Sequence, residues 1–221
     1  FFMKEFGTPL NGEKMNTIET TIEGINKRLK EASPKEIIQW ALSVAEKPVV
    51  TTNFRPYEGA ILHAVTSELK KVNVLWCDTG YNTPQTYKHA EELIDVLALN
   101  IKLYVPKQTA AYRNTILGIP TIDDPRHQIF SEQVKLEPFQ RAMEEHQPDV
   151  WFTNLRKGQT AFRDNIDILS KSKDGVLKVS PFYYWSDEEL DQYLIENKLP
   201  NEFIYFDPTK VESNRECGIH N

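Results

Sequence analysis

The sequence predicts an α/β fold: a mainly parallel, doubly wound sheet flanked by helices. Three observations predict it. Short apolar runs alternate with helix-length segments, at spacings that suit strand–helix–strand crossovers. One run, "VNVLWCD" (72–78), is apolar almost throughout, as a strand covered on both faces must be. Polar or glycine-containing stretches follow the strands, namely "TTNFRPYEG", "CDTGYNTP" and "TNLRKGQTAFR". In such sheets ligands bind beyond the carboxyl ends of the strands.

The elements follow in order. "NTIETTIEGINKRLKEASPKEIIQWALSVAE" reads as two helices: Ile18, Ile22, Ile25 and Leu29 recur at helical spacing, and Ser33 with Pro34 forms an N-cap and first turn for the second. "PVVTTN" (48–53) is a strand, and a helix runs from about Pro56 to Leu69. The strand at 72–78 is followed by a helix opened by Thr83-Pro84 and reaching about Leu97; "IKLYV" (101–105) is the third strand. After an irregular stretch, "EQVKLEPFQRAMEEH" reads as helix and "DVWFTNL" (149–155) as a fourth strand. "IDILS" and "VLKVSPF" pair around a "KSKDG" turn, and "SDEELDQYLIEN" (186–197) opens with a capping box of Ser186 and Glu189. The expected organisation is an N-terminal helical extension (1–32), one nucleotide-binding α/β domain (33–205) and a C-terminal tail (206–221) that is mobile and carries a cysteine.

The 221 residues suffice for one sizeable domain. A net charge of −6 argues against nonspecific nucleic-acid binding, which needs a basic surface, but leaves room for a local anion site. No run approaches the roughly 18 apolar residues of a membrane span. The start, "FFMKEFGTPLNGEKMN", has no long apolar core, so no secretory leader is expected. Two cysteines, Cys77 and Cys217, exclude a disulfide framework and any four-cysteine metal or iron–sulfur site on one chain. A reducing cytoplasm is the expected compartment.

Four stretches carry candidate chemistry. Thr51, Thr52 and Asn53 stand where a strand meets a helix start, a place whose N–H groups suit phosphate or sulfate. The alternative is a polar loop that caps the helix; no GxxxxGK[ST] loop is present. Asp78, Thr79 and Gly80 end the second strand, where the glycine permits close backbone approach; Asp78 serves equally well as a helix cap, and Cys77 reads as a small core residue. Arg156, Lys157 and Arg163 form either an anion site or a solvated loop, while Lys135 and Arg141 lie one or two turns apart on a charged helix face. The ending "RECGIHN" places Cys217 in a tail where it contributes little to a core, so use as a nucleophile explains it better than packing. Arg215 or His220 would lower its pKa.

Taken together, "TTNF", "DTGYNTPQTY", "KLEPFQRAM", "LRKGQTAFR" and the terminal "ECGIH" resemble the sulfonucleotide reductases, in particular the cluster-free phosphoadenylyl-sulfate (PAPS) reductases, from about Ser33 to the end. The resemblance implies an adenine nucleotide alpha hydrolase-like sheet. It implies that Cys217, with Glu216 and His220, is catalytic: its thiolate attacks the sulfur of PAPS, adenosine 3′,5′-bisphosphate leaves, and thioredoxin or glutaredoxin releases sulfite from the S-sulfocysteine. It implies substrate contacts at Thr51, Thr52, Asn53, Asp78, Thr79, Gly80, Lys135, Arg141, Arg156, Lys157, Gln159 and Arg163, with the cations among them serving the 3′-phosphate and sulfate. It further implies a homodimer, no bound metal and no iron–sulfur cluster, since the CC…CxxC cysteines of the adenylyl-sulfate branch are absent. Two departures stand out: "TTNFR" replaces a serine-rich "SSSFG", and "NEFIYFDPTKVESN" joins helix to tail in place of a longer "SIGD"-like segment. The competing expectations are a cluster-free adenylyl-sulfate reductase, a non-catalytic nucleotide-binding protein, and an ATP-pyrophosphatase of the same broad fold, which would want an SGGxDS loop that is not here.

Overall fold

The structure, a computed structural model, describes residues 21–210 apart from 122 and 162. Its first helix, α1 (Ile22–Leu29), is capped by Thr21, and α2 (Pro34–Val44) by the full Ser33–Glu36 capping box. The sheet then begins with β1 (Pro48–Thr52), and α3 (Glu58–Glu68), β2 (Asn73–Cys77), α4 (Pro84–Leu97) and β3 (Asn100–Tyr104) follow. Helices α5 (Ala110–Ile116) and α6 (His127–Ser131) occupy the stretch expected to be irregular. The expected helix at 132–146 is observed as a π-helical turn, Glu132–Leu136, that runs into α7 (Glu137–His146). Strand β4 (Val150–Phe152) is shorter than the expected 149–155. The hairpin strands β5 (Leu169–Lys171) and β6 (Leu177–Val179) and the helix α8 (Asp187–Glu196), with its Ser186–Glu189 capping box, complete the described chain.

The strand order is β3-β2-β1-β4-β6-β5. All neighbours are parallel except β5, which runs antiparallel to β6. From β1 the chain winds outward through β2 and β3, then returns to place β4 on β1's other side. The β1–β4 boundary is therefore the topological switch point, where the loops diverge and leave a crevice.

Alternation along the strands splits the core in two. Val50, Val74, Trp76, Val150 and Phe152 face the larger cluster, built with Ile37, Ile38, Ile61, Leu62, Leu93 and Leu194 from the helices. Val49, Leu75, Tyr104 and Trp151 face a smaller one, covered by Ala142, Phe139 and Met143 of α7, with Cys77 packed against it. Gly59 packs α3 against α4 and α8: a Cβ there would lie 3.4 Å from the side chains of both Leu93 and Leu194, in van der Waals contact. At the β5 edge, Asn26 of α1 stands in for a strand: its Nδ2 donates to Leu169 O (3.0 Å) and its Oδ1 accepts from Leu169 N (2.8 Å). An edge strand otherwise presents unpaired backbone groups. Among the described residues no helix is long and apolar enough to cross a membrane.

Candidate active site

A narrow cavity of ≈ 80 Å³ opens at the switch point, lined by Thr51, Thr52 and Asn53 at the end of β1 and by Thr153, Asn154 and Leu155 beyond β4. Leu75 and Cys77 of β2, Phe139 of α7 and Lys135 of the π turn form its far side. It adjoins a broader cleft of ≈ 510 Å³ that holds Arg156, Lys157, Gly158 and Gln159. Arg55, Arg163 and Lys210 line both spaces.

The β1–α3 loop is locally strained. Phe54 (φ 53°) and Tyr57 (φ 69°) both sit in the left-handed region, unusual for aromatic residues. Such residues cost of order 1–3 kcal/mol each and persist only where their surroundings over-determine them. Here Thr52 Oγ1 accepts from Phe54 N (3.0 Å), and Phe54 packs edge-on to Trp76 at 4.8 Å. Asn201 Oδ1 accepts from Tyr57 N (2.9 Å), and Asn154 Nδ2 donates to Tyr57 O (3.2 Å). Arg55, which stands where the resembling family has glycine, donates through Nε to Glu58 Oε1 (2.9 Å) and through Nη2 to Asn154 O (2.9 Å). It thereby bridges the two strand ends. Glu58 opens α3, so the start of this helix already faces a carboxylate.

The loop after β4 is built around Gln159, whose Oε1 accepts from Arg156 N (3.1 Å) and from Arg163 Nη1. Arg163, 2% exposed, begins a 3-10 turn (Arg163–Asn165), and its carbonyl accepts from Tyr183 OH (2.7 Å). Arg156 pairs with Asp187 (2.5 Å) and lies over the Tyr57 ring, 5.2 Å from its centroid. Lys157 sits over the Tyr184 ring at 5.9 Å, on the outer side of the cleft.

Lys135 owes its place to the π turn, which inserts an extra residue into the helix and turns this side chain inward; such turns recur at functional sites. Its ammonium is buried and donates to Asp207 Oδ2 and to Thr209 Oγ1 (3.4 Å). Burial pushes the Asp207 carboxyl up, but Lys135 and the Thr209 hydrogen bonds outweigh it and hold the group below its usual range. Asp207 belongs to a segment, residues 199–210, that packs on Tyr57 and the start of α4 and brings Lys210 to the site. Asn201 meets Tyr57, the Ile204 carbonyl accepts from Thr83 Oγ1 (2.8 Å) and Thr86 Oγ1 (3.2 Å) at the start of α4, and Phe203 packs edge-on to Tyr57 at 5.8 Å.

The structure thus brings together Thr51, Thr52, Asn53, Lys135, Arg156, Lys157, Gln159 and Arg163. Four expected residues lie apart from both spaces. Asp78 accepts from Gly80 N (2.9 Å), Asn82 Nδ2 (2.9 Å) and Tyr87 OH (3.0 Å), so it orders the β2–α4 loop, while the α4 cap is Thr83. Thr79 Oγ1 accepts from Tyr81 N (3.2 Å), and Gly80 takes φ 79° to make the turn. Arg141 lies on α7, paired with Glu137 (3.1 Å) and donating to Val105 O (2.8 Å). Cys77 is half-buried, and burial pushes its thiol up to about 12. Thr153, Asn154, Glu58 and Lys210 join the site without having been singled out as contacts, and Arg55 of the departing "TTNFR" lines it too; "TNL" straight after a strand was the available signal for the first two. Glu216, Cys217 and His220 lie outside the described residues. Among the described residues no group of three or more His, Cys, Asp or Glu side chains is placed to hold a metal ion.

This geometry can be set beside known proteins. Residues 47–208 match the family described as phosphoadenosine phosphosulfate reductase domain. A phosphoadenosine 5′-phosphosulfate reductase of Xylella fastidiosa (strain 9a5c) is 32% identical over 225 residues, which cover 90% of this chain and 94% of that one. The enzyme of the same name from Photobacterium profundum is 32% identical over 222 residues, covering 89% and 87%. The crystal structure of the PAPS reductase of Candida auris, a phosphate complex, superposes with a TM-score of 0.72 at 25% identity, covering 86% of this chain and 90% of that one. The FMN adenylyltransferase of Candida glabrata shares the fold alone, with a TM-score of 0.57 at 11% identity. The match runs through β1, the π turn and the arginine loop, segments that build the cavity, and the chain belongs to the phosphoadenosine phosphosulfate reductase family.

Proposed function

We propose that this protein reduces PAPS to sulfite and adenosine 3′,5′-bisphosphate, with the thiolate of Cys217 as nucleophile. The observation that carries the proposal is a cation-lined cavity at the switch point whose wall includes Lys210. Cys217 stands seven positions beyond Lys210. An extended span of that length reaches at most roughly 25 Å, enough to bring a thiol into the cavity and to carry it out again.

In the first step Cys217 Sγ attacks the sulfur of PAPS. The bond from that sulfur to the bridging phosphate oxygen breaks, and its electron pair leaves with adenosine 3′,5′-bisphosphate. The SO₃ group stays on the cysteine as S-sulfocysteine. In this scheme Arg55, Lys135, Arg163 and Lys210, which line the cavity, meet the charge that gathers on the leaving phosphate, and donors fixed in advance stabilise such charge best. In the second step a reduced thioredoxin or glutaredoxin attacks Cys217 Sγ. Sulfite departs with the bond's electrons, and the partner's second thiol resolves the mixed disulfide, so one dithiol is oxidised as one sulfo group is reduced to sulfite. Glu216 and His220 flank the nucleophile in this scheme, in a tail that closes for the first step and opens for the second, rooted at the buried Asp207 and Thr209.

The chemistry needs no metal and no cluster, and it suits a reducing cytoplasm, where the tail thiol stays reduced. A homodimer accords with it; a nucleic-acid partner or a membrane does not enter. Cys217→Ser tests the proposal: the variant keeps its fold and its affinity for adenosine 3′,5′-bisphosphate but releases no sulfite, because a serine hydroxyl is far less ionised than a thiol near neutral pH. Sulfite release near the parent rate would remove Cys217 from the mechanism.

A further inference from the structure

We infer that Asp207 is a positioning residue for anion binding: its carboxylate holds the Lys135 ammonium on the cavity wall and cedes part of that ion pair to the entering anion. This rests on the function proposed above. Three cations of the site are already matched by carboxylates, Arg55 by Glu58, Arg156 by Asp187 and Lys135 by Asp207. The three pairs differ in setting. The Asp187 side chain is 59% exposed, so water can replace its partner at little cost. Asp207 and Lys135 are both buried, and the carboxylate is fixed from behind by Thr209 N (3.0 Å) and Thr209 Oγ1 (2.7 Å).

A multiply charged anion therefore meets a lysine whose charge is already balanced. Its gain from Lys135 is smaller than a lone ammonium would give, and its release is correspondingly faster. In return, Lys135 is held extended at the cavity rather than folded onto other acceptors. The same residue also holds Lys210: Lys210 N donates to Asp207 O (3.0 Å), and Lys210 lines the cavity. Anion affinity and the root of the tail thus share one residue.

The test compares the full-length parent with Asp207→Asn and Asp207→Glu. Binding of adenosine 3′,5′-bisphosphate is measured by calorimetry at two salt concentrations, with steady-state turnover of PAPS and a thermal melt for each protein. Asp207→Asn is expected to bind about tenfold tighter, with a steeper salt dependence, and to lower KM and kcat together as product leaves more slowly. Asp207→Glu keeps the charge and should stay within about threefold of the parent in affinity. A folded Asp207→Asn that binds no tighter, or a KM that rises, would overturn the inference and leave Asp207 a purely structural residue. Should Asp207→Asn fail to fold, Asp207→Ser is judged by the same criteria. A parent protein that does not bind adenosine 3′,5′-bisphosphate at all would overturn the proposed function itself, a separate result.

Discussion

Arg163 offers the sharpest test of the site. Its side chain is almost fully buried yet lines both the narrow cavity and the broader cleft. Its backbone is held independently, by Tyr183 OH on the carbonyl and Thr160 Oγ1 on the N–H (3.3 Å), so Arg163→Ala should leave the loop path intact. Two costs then separate. Truncating a buried side chain lowers stability by about 1–3 kcal/mol, which a melt reads directly. Losing a charge-assisted contact to phosphate or sulfate costs about 1.5–3 kcal/mol of binding, or roughly 10- to 150-fold in affinity. Calorimetry with adenosine 3′,5′-bisphosphate measures the second, with Arg141→Ala as the control. Arg141 lines neither space and is engaged by Glu137 and Val105, so its loss should change affinity by less than about threefold. A folded Arg163→Ala that binds like the parent, or an Arg141→Ala that weakens binding as much, would show that the cavity is not the anion site.

Further expectations follow from the same geometry. Cys77, its thiol pushed up to about 12 by burial, stays protonated at neutral pH and should resist iodoacetamide in the folded protein until strongly alkaline conditions; labelling at the rate of an exposed thiol at about pH 7 would contradict its placement. PAPS should be preferred over adenylyl sulfate by at least roughly tenfold in kcat/KM, about 1.4 kcal/mol, because the proposed function assigns cations of the site to the 3′-phosphate that adenylyl sulfate lacks. Turnover of the two substrates at fixed ionic strength with saturating thioredoxin gives the ratio, and a value near one would contradict that role.

Much of the fold was legible because local signals and burial agreed. Ser33 and Ser186 cap their helices through both hydrogen bonds of a capping box, as their spacing to glutamate required. The unbroken apolar run of β2 does lie between two layers, with Val74 and Trp76 on one face and Leu75 on the other. The π turn was not legible, since no propensity marks an extra residue in a helix, and without it Lys135 reads as one more cation on a charged face. The Lys135–Asp207 pair joins residues 72 apart, which only the tertiary fold can bring together. Arg55 and Glu58, by contrast, stand three apart, so their pairing is local in the chain. The segment after β4 was recognised as site-forming from its polarity. Which of its side chains turn inward depended on tertiary partners: Gln159 accepts from the Arg156 N–H and from the Arg163 guanidinium, while the Arg156 side chain is set by Asp187 and the Tyr57 ring.

The most direct measurement of the central claim is the intact mass of the reduced protein after incubation with PAPS in the absence of thioredoxin. The proposed mechanism requires one SO₃ group gained per chain, mapped by peptide analysis to Cys217, lost on adding reduced thioredoxin with release of an equal amount of sulfite, and missing in Cys217→Ser. A protein that binds the nucleotide and turns it over with no adduct, or that carries the adduct on Cys77, would contradict it.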